Sequence, residues 1–158
     1  MKKFWTFILA IVISFIPGVI GGFFTPMSPG ADVWYNGLNQ SMLTPNGWLF
    51  IVAWMILYTL LGISLFLIMN NEKTRVSKGK AYALFVSQMC LNALWSYLFF
   101  GLQMVGAALL ALVVLIAVSV WMMIAFKPIS RAASYLVWPY ILWLCFALYL
   151  NGMILFLN

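Results

Sequence analysis

The chain has 158 residues, 66% of them hydrophobic and 18% aromatic but only 6% charged, with a formal net charge of +6. It contains no histidine, and its only carboxylate side chains are Asp32 and Glu72, so a His-ligated metal, a Ser-His-Asp triad and a pair of acid/base carboxylates are excluded. Neither acid lies within an apolar run, which removes the intramembrane carboxylate relay of proton-driven pumps, and the eight cations are split among short gaps rather than gathered into a nucleic-acid patch.

Five apolar runs, Phe4–Phe24, Trp48–Met69, Ala81–Phe100, Val105–Phe126 and Ser134–Phe156, are each 20 to 23 residues long. A helix of about 20 residues spans a ~30 Å hydrocarbon core. The expected architecture is therefore all-α: one integral membrane domain over 1–158, with five transmembrane helices at about 4–24, 48–69, 81–100, 105–126 and 134–156. Lys2 and Lys3 precede the first run, Lys73, Arg75, Lys78 and Lys80 separate the second and third, and Lys127 and Arg131 separate the fourth and fifth. The gaps at 25–47 and 101–104 and the C-terminal tail carry no Lys or Arg, so the positive-inside rule predicts the N-terminus inside and the C-terminus outside. The same cations would attract anionic lipid headgroups. Lys2-Lys3 before an apolar stretch resembles a secretory signal, but the run is long for an h-region and no A-x-A-type site follows, so the first helix is expected to be retained.

In the first run Pro17 is expected to kink the helix. Gly18-xxx-Gly22, like Ala107-xxx-Ala111 in the fourth run, permits close helix approach, either inside the bundle or between two copies. The gap at 25–47 is the one long connection, and Pro26, Pro29, Gly30, Gly37, Pro45 and Gly47 mark it with turns. Within it Asp32, Val33, Trp34, Tyr35 and Leu38 fit one short helical turn capped by Asp32. Trp34 and Tyr35 suit a headgroup anchor and a lid over the bundle equally well. The four-residue gap 101–104 predicts a tight antiparallel hairpin, and the basic gaps 70–80 and 127–133 leave no room for a regulatory domain. Cys90 and Cys145, deep in the third and fifth runs, are expected to behave as small buried hydrophobes without a disulfide or metal.

Polar and aromatic residues recur at helical spacing within the runs. Trp54, Tyr58 and Leu61/Gly62 form a stripe on the second, Gln88, Asn92, Trp95 and Ser96 on the third, and Tyr140, Trp143, Ala147 and Asn151 on the fifth. An amide facing hydrocarbon without a partner is costly, so Gln88, Asn92 and Asn151 should point inward. For Gln88 and Asn151 interhelical hydrogen bonding is as good an explanation as a site, whereas Asn92 beside Trp95 reads as the edge of a pocket. Aromatic walls with a few amides suit a flat, largely apolar ligand oriented by one or two hydrogen bonds; plain aromatic packing is the competing explanation.

The same stretches carry a family resemblance across essentially the whole chain. Trp34-Tyr35-x-x-Leu38, Thr44-Pro45, Trp54-x-x-Leu57-Tyr58-x-x-x-Gly62, Leu91-Asn92-x-x-Trp95-Ser96-x-x-Phe99-Phe100 and Pro139-Tyr140-x-x-Trp143-x-x-Phe146-Ala147-x-x-Leu150-Asn151-x-x-Ile154 resemble the TspO/translocator protein family, the tryptophan-rich sensory or peripheral-type benzodiazepine receptor proteins, in a bacterial form. The chain departs from the family at Ser41-Met42-Leu43-Thr44-Pro45-Asn46, where a Trp and two prolines are missing. The resemblance implies a multi-pass protein of the cell membrane, surrounded by lipid and forming a homodimer, with no nucleic-acid partner, no metal and no required cofactor. It implies binding of protoporphyrin IX or related haem-type tetrapyrroles, and of isoquinoline and benzodiazepine-like ligands, for sensing, sequestration or transport. Carried over position by position, the pocket comprises Trp34, Tyr35 and Pro45 from the loop, Trp54 and Tyr58, Asn92 and Trp95, and Trp143 and Ala147. A second implied activity is light-dependent porphyrin degradation, with Trp54 and Trp143 as its photochemical residues. A third is transport of sterols or other lipophiles, or scaffolding of partners. The C-terminal cholesterol motif lacks its Lys or Arg after Tyr149, while Lys80-Ala81-Tyr82-Ala83-Leu84 satisfies the reversed form.

Overall fold

The computed structural model describes residues 1–25, 31–72, 74 and 76–158, without the side chains of Lys2, Ala31 and Asp32. The expected turn residues Pro26, Pro29 and Gly30, the Asp32 cap and the loop cations Lys73 and Arg75 therefore lie outside the described residues. Those that are described form helices and no strand: α1 (Lys2–Gly22), α2 (Ala31–Asn36), α3 (Gly47–Met69), α4 (Gly79–Ser96) continued by a π-helical turn (Tyr97–Gly101), α5 (Val105–Phe126), α6 (Arg131–Leu136) and α7 (Trp138–Leu157). Five spans are long and apolar enough to cross a bilayer: α1, α3, α4 with its π turn, α5, and α6 with α7. Helices are the solution because a backbone in hydrocarbon must satisfy its N–H and C=O groups within its own segment.

α1 and α3 pack along their length in opposite directions. Phe7 meets Phe66 edge-on with centroids 5.4 Å apart. Further along, the buried Ser14 hydroxyl lies 2.8 Å from the Tyr58 carbonyl and 2.7 Å from that of Ile11, sharing its donation between the two helices. Small residues set this spacing. A Cβ on Gly62 would sit 2.6 Å from Ile11 Cδ1 and 3.0 Å from Ile11 Cα, and one on Gly18 would sit 2.6 Å from the Tyr58 ring. Of the two uses open to the Gly18-xxx-Gly22 pair, Gly18 serves packing inside the bundle, while Gly22 faces open space. Pro17 is buried within an unbroken α1.

α4 and α5 form the expected tight hairpin. The Leu102 N–H donates to the Tyr97 carbonyl at 2.9 Å, closing the π turn, and Gln103 takes the left-handed conformation at φ 57° to reverse the chain. The last span is in two pieces. Ser130 caps α6, its hydroxyl accepting from the Ala133 N–H at 3.2 Å, and Pro139, which has no N–H to give the preceding turn, accounts for the break at Val137. Buried serines tie α6 to its neighbours: Ser64 Oγ of α3 donates to the Ala133 carbonyl and Ser134 Oγ to the Met123 carbonyl of α5, each at 2.8 Å.

One expectation is corrected. Cys90 and Cys145 are free thiols exposed on the outside of the bundle, not buried hydrophobes. Each lies two residues from an inward-facing side chain, Gln88 or Trp143, and two residues on a helix turn about 200°. The membrane hides such a position from sequence reading, because the lipid-facing side of a span is as apolar as its core-facing side. Replacing Gly62 by Val should force α1 and α3 apart and cost about 1–3 kcal/mol, read as a lowered midpoint of thermal unfolding in detergent; an unchanged midpoint would contradict the close approach.

Candidate functional site

Two carboxamides hold the centre of the bundle. Tyr58 Oη on α3 donates to Asn92 Oδ1 on α4 at 2.8 Å, and Asn92 Nδ2 donates to Tyr140 Oη on α7 at 3.0 Å. All three side chains are buried. A turn or more further out, Trp95 Nε1 donates to Asn151 Oδ1 at 3.3 Å and Asn151 Nδ2 donates to the Val105 carbonyl at 2.9 Å. Three spans are thus joined by Asn92, and α4, α5 and α7 by Asn151.

Against this polar spine lies a continuous cluster of rings. Trp54 is its hub, stacked on Tyr58 with centroids 5.3 Å apart and within 6.3 Å of Trp95, 6.3 Å of Tyr140 and 6.5 Å of Trp143. Trp143 in turn meets Phe50 and Phe146. On the outer side Trp95 stacks on Phe99 at 5.8 Å and also contacts Phe100 at 6.0 Å. An ordinary helix brings i+4 onto the same face as i but rotates i+5 away; the wider π turn lets the successive residues Phe99 and Phe100 both face Trp95.

Those two phenylalanines receive the loop. Trp34 on α2 meets Phe99 at 5.6 Å, and Tyr35 meets Phe99 at 6.2 Å and Phe100 at 5.6 Å. Of the two roles open to this pair, the structure shows packing on the bundle. Burial raises the Tyr35 phenol above its ordinary range, so it stays neutral. The loop is also latched to the end of α7. The Asn39 N–H donates to Asn158 Oδ1 at 3.0 Å, Asn158 Nδ2 to the Asn39 carbonyl at 3.1 Å and Asn39 Nδ2 to the Leu157 carbonyl at 3.3 Å, while the Ser41 and Tyr149 hydroxyls are 2.9 Å apart.

The structure therefore brings Trp54, Tyr58, Asn92, Trp95 and Trp143 into one contact network and joins Trp34 and Tyr35 to it through Phe99. Ala147 is buried in the same core one turn beyond Trp143, and Pro45 is half-buried in the extended residues before α3. Tyr140, the fully buried end of the hydrogen-bonded chain, and Phe99, the ring between lid and hub, were quoted in the sequence motifs without a site role. The spacing that aligns Tyr140 with Trp143 is the signal that points to it. Nothing local points to Phe99, whose position depends on the π turn. Among the described residues two buried donors have no partner: Gln88 Nε2 and Trp143 Nε1. Asn92, expected at the edge of a pocket, bonds Tyr58 and Tyr140, and Gln88, for which both a packing and a site role were open, has a buried donor without a described partner.

Comparison with known proteins shows the family of the chain. Residues 8–157 match the TspO/MBR family. The chain is 40% identical over 141 residues to a tryptophan-rich protein TspO of Archaeoglobus fulgidus, covering 89% of each, and 37% identical to that of Chlorobaculum tepidum over 99% of this chain and 98% of the relative. It is 31% identical to the translocator protein of Homo sapiens over 75% of this chain and 70% of that protein.

The latch should be separable from the core. Asn158→Ala with Tyr149→Phe removes three of the loop's contacts, worth about 1.5–3 kcal/mol together, and should speed hydrogen exchange over residues 31–41 by at least about tenfold while leaving α4 and α7 protected. Because the neutral Tyr35 phenol is the form the closed loop favours, closure should hold from pH 7 to the ordinary phenol range and weaken only as pH rises through the raised value, visible in the same exchange measurement.

Proposed function

Since the chain belongs to the TspO/MBR family and is a multi-pass integral protein of the cell membrane, we propose that it binds a flat tetrapyrrole, protoporphyrin IX or a haem-type relative, between its central indoles, for sensing or sequestration. Family membership by itself supports the coarser statement, a sensory or ligand-binding role in the membrane. The porphyrin, the residues that hold it and the orientation with N-terminus inside belong to this proposal.

The observation that carries it is the Trp143 indole. Its N–H is buried with no partner among the described residues, yet it stands among Trp54, Phe50 and Phe146, whose rings offer a large flat guest stacking surface. A buried donor left unmade costs about 1–3 kcal/mol, which a carbonyl or carboxylate of a ligand would recover. No described charged side chain belongs to the ring cluster, so the guest's macrocycle would meet a neutral apolar wall and be oriented by a few hydrogen bonds. Trp54, Trp95, Tyr58 and Tyr140 touch one another, so a guest must part these rings, and the lid formed by Trp34 and Tyr35 must give way on entry.

Titration with protoporphyrin IX, followed by quenching of tryptophan fluorescence, tests this reading. Trp143→Phe keeps the ring and removes the N–H, and should weaken binding about tenfold, the value of one hydrogen bond to a buried donor. Trp54→Ala with Trp143→Ala should weaken it much further. Unchanged affinity in the double variant would remove these residues from the site.

A further inference from the structure

The end of the bundle opposite the lid carries a second feature, independent of the aromatic site. Asn71, just past α3, hydrogen-bonds the Ile129 carbonyl, and Phe7 of α1 packs on Phe66 of α3. The α3 end, the turn between α5 and α6, and the start of α1 are therefore at one face of the membrane. In that turn a cavity of about 440 Å³ is lined by Ile124, Lys127, Pro128, Ile129 and Arg131. Its floor is the buried Ile129; Lys127 and Arg131 are exposed at its edge.

Three properties identify what fits it. First, neither Lys127 nor Arg131 has an ion-pair or hydrogen-bond partner for its side chain among the described residues. The carboxylate at this end, Glu72, is exposed and is not part of the lining. Second, the N–H groups of Ile129 and Ser130 both go to the Phe126 carbonyl, so the turn leaves the charge to the two side chains. Third, the cavity wall at Ile124 adjoins further exposed apolar surface on α5. Ile124 is 58% exposed, and one turn deeper Trp121 is 53% exposed, with Lys80 Nζ 4.9 Å above its ring. Ile124 is one turn from both Trp121 and Lys127, so exposed apolar surface lies beside the cations, the positions drifting by about 60° at each step of three. A free anion would need only the charged end. A ligand matching both parts has a phosphate at the cavity and a hydrocarbon tail along Ile124 and Trp121.

From this geometry we infer that Lys127 and Arg131 form a binding site for one anionic phospholipid, its phosphodiester held by the two cations and an acyl chain lying on α5. Basic pockets of this kind at the membrane edge recognise acidic headgroups. Arg131 supplies a planar fork suited to two phosphate oxygens and Lys127 a point charge, so neutral zwitterionic lipids, whose own ammonium would meet these cations, are disfavoured.

The test is native mass spectrometry of the whole protein purified in detergent and equilibrated with equal amounts of phosphatidylglycerol and phosphatidylcholine. The wild type should retain one phosphatidylglycerol per chain in preference to phosphatidylcholine. Lys127→Gln with Arg131→Gln should reduce that preference by about tenfold or more. Lys2→Gln with Lys3→Gln, which removes the same charge from the same membrane face, should keep it, and millimolar inorganic phosphate should not displace the lipid. Undiminished preference in the first double variant would overturn the site. So would an equal loss in both variants, which would mean diffuse attraction, or displacement by inorganic phosphate, which would mean a free-anion site. Protoporphyrin quenching should be the same in all three proteins, which separates this outcome from the fate of the porphyrin reading.

Discussion

A carboxamide placed in hydrocarbon has to find partners inside the protein, and Asn92 meets that constraint by joining three helices at once. With its oxygen taken by Tyr58 and an N–H given to Tyr140, the amide fixes the rotation of α3, α4 and α7 about their own axes. The hydrophobic effect cannot do this within a bilayer, where lipid tails are as apolar as the side chains they would replace. Directional bonds and close packing at Gly18 and Gly62 supply the specificity instead. Once those rotations are set, Trp54, Trp95 and Trp143 necessarily converge, because each sits on the same face as a spine residue.

The convergence has a layered consequence. At the centre the hydrogen-bond capacity is largely spent on architecture, through Asn92 and Asn151. Around it, the rings touch through edges and offset faces, contacts a planar guest can replace at little loss. At the outer end the π turn gives Phe99 and Phe100 to the lid, and the latch from Asn39 and Ser41 to the end of α7 holds that lid with bonds exposed to water, which are weak and quickly exchanged. The buried hydrogen bonds thus lie beneath the ring cluster and the water-exposed ones above it. The cationic cavity at Lys127 and Arg131 lies at the other face, apart from the ring cluster.

Much of this is legible in the chain because periodicity and charge survive translation into structure. The length of the apolar runs follows from the thickness of the bilayer, and steps of three and four put Trp54 with Tyr58, Asn92 with Trp95, and Tyr140 with Trp143 on shared faces. The same logic failed for Cys90 and Cys145, since a span is apolar all round and its outer face carries no polar mark. The motif identifies Asn92 as important, but that it bonds Tyr58 and Tyr140 depends on which hydroxyls stand opposite it.

By itself, then, the sequence determined that the chain is helical, that it crosses the membrane, which family it belongs to, and which faces of its spans carry indoles and amides, for these depend on spacing within single segments. Only the tertiary structure decided that Trp143 keeps a free N–H, that Phe99 links the lid to the hub, and that Asn39 meets Asn158 across most of the chain length. Each of those depends on the rotation and depth of one helix against another. Such rotations are fixed by a few interhelical hydrogen bonds and close contacts between distant residues, and no pattern along a single helix encodes them.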